Sequence, residues 1–149
     1  MQLTQAHYRL EVGTRGPGFT DITRNAAGWL RQIRARDGLL TLFIRHTSAS
    51  LVIQENADPD VQADLVDALS SLAPEDRPWR HTVEGPDDMP AHVKAMVTAT
   101  SLSIPVIDEK MVLGTWQAVY LVEHRAAPHR REIILHYTGM ATGAPSAHR

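Results

Sequence analysis

Cysteine is missing from this chain of 149 residues. Its absence excludes disulfides, thiolate metal ligands and thiol nucleophiles. An excess of charge of one sign is missing too: the formal net charge is −2, with neither a basic block nor an acidic tail. Affinity for nucleic acids comes mainly from clustered Lys and Arg, so we expect no nucleic-acid-binding surface.

Long apolar runs are lacking as well. No stretch approaches the ~20 apolar residues of a membrane span, and the first residues lack the basic and apolar regions of a secretory signal. We therefore expect a cytoplasmic protein without membrane partners. The length suits a single domain, which we place at residues 1–140. The tail 141–149 has no apolar period, so we expect it to be disordered.

The apolar pattern predicts an α+β domain with mixed or antiparallel sheets and about three helices. Helices are expected at about 20–36, from the Asp58-Pro59 cap onward, and at about 89–98. Strands are expected at about 3–12, 39–45, 50–54, 102–107, 111–123 and 131–138. We predict that the last two strands form a hairpin across residues 125–130.

An imidazole stands at the end of an apolar strand face. Alternation places Leu40, Leu42 and Ile44 on one side of the strand 39–45, and His46 continues that side where the strand leaves the core. Either a backbone group satisfies this histidine, or it lines a cleft. The hydroxyl residues that follow, including Ser48, suit phosphate oxygens, although an ordinary polar turn has the same composition.

The segment 80–94 is the most crowded with chemically active side chains: two imidazoles, three carboxylates and two cations. His81 and His92 lack the spacing of sequential zinc motifs, so a metal site would have to be assembled from distant segments. The candidate ligands are His46, His81 and His92, with Glu84, Asp87 or Asp88 nearby. Such nitrogen and oxygen ligands suit zinc or another divalent transition metal.

Four further polar residues are candidates for a binding site, and some of them also have a simpler structural explanation. Asn56 precedes the Asp58-Pro59 cap, near a helix end that attracts anions. Lys94 is either a solvated cation or a contact to another subunit. Gln117 and Glu123 share one face of a strand that reads as buried on both sides, so they need partners or line a site. For Glu123 the simpler alternative is a salt bridge to Arg125 or Arg131.

Four ordered segments together resemble the YjbQ-like family, whose members are labelled secondary thiamine-phosphate synthases. They read His-Thr-Ser-Ala-Ser-Leu at 46–51, Glu-Asn-Ala-Asp-Pro at 55–59, the whole of 80–94, and Gly-Thr-Trp-Gln with Leu-Val-Glu-His-Arg within 114–125. The resemblance covers nearly the whole chain. It implies an α+β homotrimer with sites near the subunit interfaces.

The resemblance also implies a reaction: a hydroxymethylpyrimidine pyrophosphate joins a thiazole phosphate, and pyrophosphate leaves. The expected partner is therefore a small phosphorylated metabolite, and the expected cofactor a divalent metal, zinc-like or Mg²⁺. Imidazolium groups that hold phosphate directly are the alternative to a metal. The predicted roles are catalytic for Glu84, Asp88 and Glu123, and substrate-binding for Ser48, Asn56, Lys94, Gln117 and Arg125. A trimer that binds without turnover and a metal-dependent hydrolase remain alternatives.

Overall fold

Eight strands and three helices follow one another along residues 2–143, the part of the chain that this computed structural model describes. The strands are β1 (Gln2–Thr14), β2 (Gly18–Asp21), β3 (Ala35–Ile44), β4 (Ala49–Glu55), β5 (Ser101–Ile107), β6 (Lys110–Met111), β7 (Gln117–Glu123) and β8 (His129–Ala141). The helices are α1 (Thr23–Gln32), α2 (Pro59–Leu72) and α3 (Asp88–Val97). The predicted α+β class with about three helices is confirmed.

The strands form two antiparallel sheets. One has five strands in the order β1-β8-β3-β5-β6, and the other has three in the order β2-β7-β4. Buried side chains of both sheets and of α1 belong to a single hydrophobic cluster. Its members include Leu42 and Leu135 from the large sheet, Leu51 and Leu121 from the small sheet, and Leu30 from α1. The small sheet is therefore held against the large one by apolar burial rather than by strand pairing.

The predicted hairpin between the last two long strands is wrong. β7 pairs with β2 and β4 in the small sheet, whereas β8 pairs with β1 and β3 in the large one. The predicted strand 111–123 is also divided, because β6 pairs with β5 and the chain then crosses to the other sheet to form β7. Local alternation cannot reveal such a crossing, since a buried strand has the same pattern in either sheet.

The boundaries of the first helix differ from the prediction at both ends. Its expected start, near residue 20, is occupied by β2, and the helix ends at Gln32 rather than near residue 36. Arg34 has a φ of 57°, which ends the helix and lets β3 begin at Ala35.

The tail also starts later than expected: Ala141 is the last residue of β8, and residues 144–149 lie outside the described residues.

The other two helices begin as predicted. The Asp58 carboxylate accepts a hydrogen bond from the Asp60 N–H at 2.9 Å, and Pro59 occupies the first position of α2. After α3, the backbone of Ala99 pairs with Leu51 of β4, so this helix is fixed beside the small sheet. Among residues 2–143, no helix is both long enough and apolar enough to cross a membrane.

Candidate functional site

Two imidazoles and one carboxylate meet where the loop after α2 enters α3. One ligand atom from each of His81, Asp88 and His92 lies within 4.8 Å of the other two. Asp88 and His92 are four residues apart on α3, so they share one face of the helix. The loop brings His81 to the same face through a turn at Gly85, whose φ of 105° favours glycine.

Asp88 lies at the centre of this cluster. Its Oδ2 atom is 2.6 Å from Nε2 of His81 and 3.0 Å from Nε2 of His92, and the residue is only 5% exposed. Burial by itself would raise the pKa of the Asp88 carboxyl, but the hydrogen bond from His81 and the neighbouring charges of His92 and Arg125 hold it below its usual range. The carboxylate is therefore ionised at neutral pH.

The two nitrogens of His92 have different roles. Nδ1 lies 2.9 Å from the carbonyl oxygen of Thr47, which can only accept, so Nδ1 carries a proton. In the neutral ring Nε2 then has a lone pair, and that lone pair faces the ionised Asp88 at 3.0 Å. Two lone pairs at this distance repel each other unless a proton or a metal cation lies between them. The donor set of this cluster therefore fits a cation.

A second layer of contacts holds the carboxylate in place. Arg125 donates from Nη1 to the other oxygen of Asp88 at 2.7 Å, from Nε to Asp87 at 3.1 Å, and from Nη2 to the Glu84 carbonyl at 2.9 Å. Metal-binding residues characteristically have such outer partners, and the Thr47 carbonyl on His92 is another. Arg125 was predicted to bind substrate, but the structure directs its donors at the protein.

A cleft adjoins the cluster, with a volume of about 680 Å³. Such a volume suits a small metabolite. Its lining includes His92 from the cluster, His46 and Ser48 from the chain between β3 and β4, Met96 from α3, and Arg131 from β8.

His46 was predicted as a third histidine ligand, and the structure does not place it in the cluster. Its Nε2 atom accepts a hydrogen bond from the Glu132 N–H at 2.8 Å, the backbone alternative that the sequence left open. Burial lowers the pKa of His46, and the charge of Arg131 lowers it further, so the ring is neutral at pH 7. His46 is nevertheless part of the cleft wall.

A buried ion pair lies beneath the cleft. Arg131 and Glu123 are 3% and 2% exposed, and both oxygens of Glu123 accept from the guanidinium, at 2.7 and 2.5 Å. Thr14 and the N–H groups of His124 and Arg125 complete the partners of this carboxylate. The salt bridge to Arg131 was the simpler alternative for Glu123. A carboxylate bound in this way positions Arg131 and is unsuited to moving protons.

The remaining predicted site residues lie in different places. The Ser48 hydroxyl lines the cleft and accepts from Arg131 at 3.0 Å. Glu84 has an exposed side chain and joins the cluster through its carbonyl. Lys94 is half-buried on α3, where burial lowers its pKa, and among residues 2–143 it is not part of the cleft wall.

Asn56 and Gln117 are far from the cluster. Gln117 pairs with Glu55 at one end of the β4–β7 ladder, whereas Glu123 pairs with Ala49 at the other. The six-residue interval along β7 corresponds to about 20 Å at the usual rise per residue. Gln117 uses its side-chain oxygen to accept from the Gly114 N–H at 2.8 Å, which shapes the turn before β7. The structure therefore does not bring these two predicted residues to the site.

Arg131 is the residue that sequence reasoning missed. Along β8, Arg131, Ile133, Leu135 and Tyr137 all point inward and are buried. An arginine at an inward position of a strand indicates a paired or functional cation, because an unpaired buried charge is costly. The alternation of β8 could therefore have identified it.

Known proteins similar to this chain share both its sequence and its fold. The family model described as UPF0047 protein YjbQ-like matches residues 8–140. The chain belongs to this family. A UPF0047 protein of Synechocystis is 47% identical over 131 residues, which cover 87% of this chain and 89% of that protein. The YjbQ protein of Escherichia coli O157:H7 is 38% identical, over 84% of this chain and 91% of its own.

Solved structures agree with this membership. A conserved hypothetical protein of Thermus thermophilus superposes with a TM-score of 0.77 at 38% identity, covering 86% of this chain and 97% of its own. A YjbQ/UPF0047 family protein of Clostridium acetobutylicum gives a TM-score of 0.78 at 33% identity, over 87% and 97%. The YjbQ-like region includes every residue of the candidate metal cluster and of the cleft wall described above.

Proposed function

We propose that this YjbQ-like protein is a divalent-metal enzyme that acts on small phosphorylated metabolites in the cleft beside His92. One observation carries the proposal: Nε2 of His81 and Nε2 of His92 lie 2.6 and 3.0 Å from the same oxygen of the Asp88 carboxylate, next to an open cleft. Either a proton on Nε2 or a metal cation satisfies this pair, and the outer contacts of Arg125 and Thr47 hold both groups in a geometry that can bind the metal.

The ligand types favour a transition metal over Mg²⁺. Two imidazoles and one carboxylate suit zinc and its neighbours, whereas Mg²⁺ prefers carboxylates and water. His81 donates its Nε2 proton to the ionised Asp88, and the same nitrogen can bind a cation once the proton moves to Nδ1. Three protein ligands leave coordination positions open, which is typical of catalytic rather than structural zinc sites.

The reaction we propose first is the one implied by the family resemblance, in which a pyrimidine pyrophosphate and a thiazole phosphate give thiamine phosphate and pyrophosphate. When bound, a divalent cation supplies Lewis acidity, which offsets the charge that develops on a leaving pyrophosphate. The protein itself contributes Asp88 and His92 in fixed orientation, an apolar wall at Met96, and cationic groups that favour anionic substrates.

Metal-dependent hydrolysis of a phosphoester is the second candidate. It is favoured by the open positions of a site with three protein ligands, which is the usual composition of hydrolytic zinc centres. A protein that binds such metabolites without turnover is the third possibility.

The homotrimer and the cytoplasmic location remain predictions. Light scattering of the purified chain measures the oligomeric state.

Metal content tests the proposal most directly. Untagged protein purified without chelator should contain about one equivalent of transition metal per subunit, and His81→Ala and His92→Ala should each lower it severalfold. His7→Ala is the matched control, because His7 is exposed on β1. Less than about 0.2 equivalents in the wild type, with no further loss in the variants, would contradict a metal centre.

Product analysis then separates the candidate reactions. Metal-loaded protein is incubated with the pyrimidine pyrophosphate and the thiazole phosphate together, with each alone, and with simple phosphomonoesters. Transfer gives thiamine phosphate and pyrophosphate only when both substrates are present, whereas hydrolysis gives inorganic phosphate or pyrophosphate from one. Thermal stabilisation by these compounds without either product would support binding alone and would overturn the enzymatic proposal.

A further inference from the structure

The hydrogen bonds of His46 determine which of its nitrogens carries a proton. The backbone N–H of Glu132 donates to Nε2 at 2.8 Å, so that nitrogen accepts and has no proton. A neutral imidazole has one ring proton, which must then be on Nδ1. His46 therefore presents an Nδ1–H group, the opposite of the tautomer that a free histidine side chain favours.

The polar atom that contacts this N–H group is another donor. Nη1 of Arg131 lies 3.4 Å from Nδ1 of His46, and a guanidinium has no acceptor. If Arg131 donated to Nδ1, both ring nitrogens would accept and the ring would have no proton at all, which a histidine free of metal does not tolerate. Two N–H groups thus converge at the wall of the cleft without an acceptor between them.

Arg131 cannot turn away from this arrangement. Its Nε and Nη2 atoms are bound to Glu123 at 2.7 and 2.5 Å, and Nη2 also donates to the hydroxyl of Ser48 at 3.0 Å. The guanidinium is therefore fixed by a residue that is itself buried, with Nη1 held beside His46 in the wall of the cleft. Donors held in place before a ligand arrives bind anions without the cost of reorganisation.

We propose that Nδ1–H of His46 and Nη1–H of Arg131 together bind one oxygen of a substrate phosphate group. The choice of phosphate among oxyanions rests on the proposed function, while the two-donor geometry does not. His46 thereby becomes a substrate-binding residue rather than a metal ligand, and Arg131 a phosphate-binding residue that Glu123 positions.

The surroundings of this donor pair favour an anion. Among residues 2–143, the wall of the cleft contains no carboxylate side chain and includes Arg45 and Arg131, whose partners Glu132 and Glu123 lie outside the lining. The apolar residues Phe43, Ile44 and Met96 line the same cleft and suit the organic part of a metabolite. His92 also lines it, so a phosphate bound by the pair shares one space with the metal cluster.

Nuclear magnetic resonance of the imidazole nitrogens tests both steps in protein stripped of metal by EDTA. Long-range ¹H–¹⁵N spectra should show His46 as the Nδ1–H tautomer at pH 7, and inorganic phosphate should shift its Nδ1 resonance saturably. Sodium acetate at equal ionic strength should give a much weaker shift. An Nε2–H tautomer, or a ring that phosphate leaves unmoved because water fills the position, would overturn the proposal. Equal shifts with acetate would overturn the assignment to phosphate.

A matched pair of variants measures the contribution to binding. His46→Gln should weaken phosphate binding to the metal-free protein by about tenfold or more, since a hydrogen bond to a charged group is lost. His7→Gln makes the same substitution on exposed β1 and should leave the Kd unchanged. Equal Kd values for the two variants would contradict the site, provided that the amide spectrum of His46→Gln is that of the folded protein.

Arg131→Lys provides an independent variant, which retains the charge but removes Nη1 and should weaken phosphate binding similarly. The outcome is separable from that of the proposed function. A metal-bearing protein whose His46 is the wrong tautomer overturns the phosphate site alone. Protein that contains no metal as purified without chelator, and that binds phosphate through His46, overturns the metal centre alone.

Discussion

Nε2 of His92 lies 3.0 Å from Oδ2 of Asp88, one helical turn earlier on α3. The other nitrogen of the same ring explains this contact. Nδ1 of His92 donates its proton to the Thr47 carbonyl oxygen, and the two atoms are 2.9 Å apart. A backbone carbonyl between β3 and β4 thus determines which nitrogen faces the carboxylate. Either a proton or a metal cation must therefore lie between the two side chains, and the predictions on metal binding test the metal.

Arg125 should tune the metal affinity without binding the metal. Replacing it in Arg125→Met removes the hydrogen bond to Asp88, so we expect zinc affinity, measured by calorimetry with a competing chelator, to fall about 10- to 100-fold. Arg24→Met, on the exposed face of α1, is the control and should match the wild type. An unchanged affinity in Arg125→Met would show that the outer contacts are not needed to orient the carboxylate.

Asn56 and Gln117 should have no role in metal or phosphate binding, although sequence reasoning placed them in the site. Both lie at the end of the β4–β7 ladder opposite Glu123, where the Asn56 N–H donates to the carbonyl of Trp116, the residue before Gln117. Neither Asn56 nor Gln117 lines the cleft. Asn56→Ala and Gln117→Ala should change zinc and phosphate affinities by less than about twofold, as surface substitutions usually do. A loss of tenfold in either titration would refute this separation.

Removing the buried partner of Arg131 should destabilise the fold strongly. Glu123→Gln leaves the guanidinium buried without a counter-charge, so we expect the free energy of unfolding at pH 7 to fall by about 3–5 kcal/mol in urea denaturation. Glu132→Gln is the control, because its ion pairs with Arg9 and Arg45 are at the surface and should contribute less than about 1 kcal/mol. Similar losses in both variants would contradict the burial argument.

The same ion pair predicts the direction of a pH effect. Burial would raise the pKa of Glu123, but the hydrogen bonds from Arg131 and Thr14 hold it below its ordinary value of 4.5. Its stabilising contribution is therefore present above pH 4.5 and is lost as the pH falls through the lower pKa of the folded state. Urea titrations should show the gap between wild type and Glu123→Gln closing below that pH. A gap that persists unchanged would disprove the linkage.

His124 should stay neutral well below the usual pH of histidine titration. Burial, and secondarily the charge of Lys94, lowers its pKa from 6.5 to about 4, and Nε2 is 2.9 Å from the Ser50 hydroxyl. Between pH 6.5 and about 4, His124 is protonated in the unfolded chain but not in the folded chain. The free energy of unfolding should therefore decline by about 3 kcal/mol as the pH falls across this range.

Two measurements check the prediction for His124. A nuclear magnetic resonance titration should place its midpoint near 4, and His124→Gln should remove most of the decline in stability, with His7→Gln as the matched control. A midpoint close to 6.5 would show that the ring is hydrated and would refute the assigned burial.

The sequence predicted the structural features that depend on residues close together in the chain. The cap at Asp58-Pro59, the short helix after Met89 and the inward positions of β3 follow from residues close in sequence, and all three are confirmed. The crowding of His81, Asp88 and His92 within one segment likewise indicated where a cluster would form. Four-residue spacing on a helix then suffices to place Asp88 and His92 on one face.

Only the tertiary structure decided which distant groups complete the site. Whether β7 pairs with β8 or crosses to the other sheet depends on packing between sheets, which alternation along one strand does not record. That crossing places Glu123 against Arg131, and the β8 backbone at Glu132 then fixes the proton of His46. The sequence by itself determined the residue types available for metal and phosphate chemistry. The sheet arrangement decided which nitrogen each imidazole offers, because hydrogen bonds to backbone groups far along the chain select the tautomer.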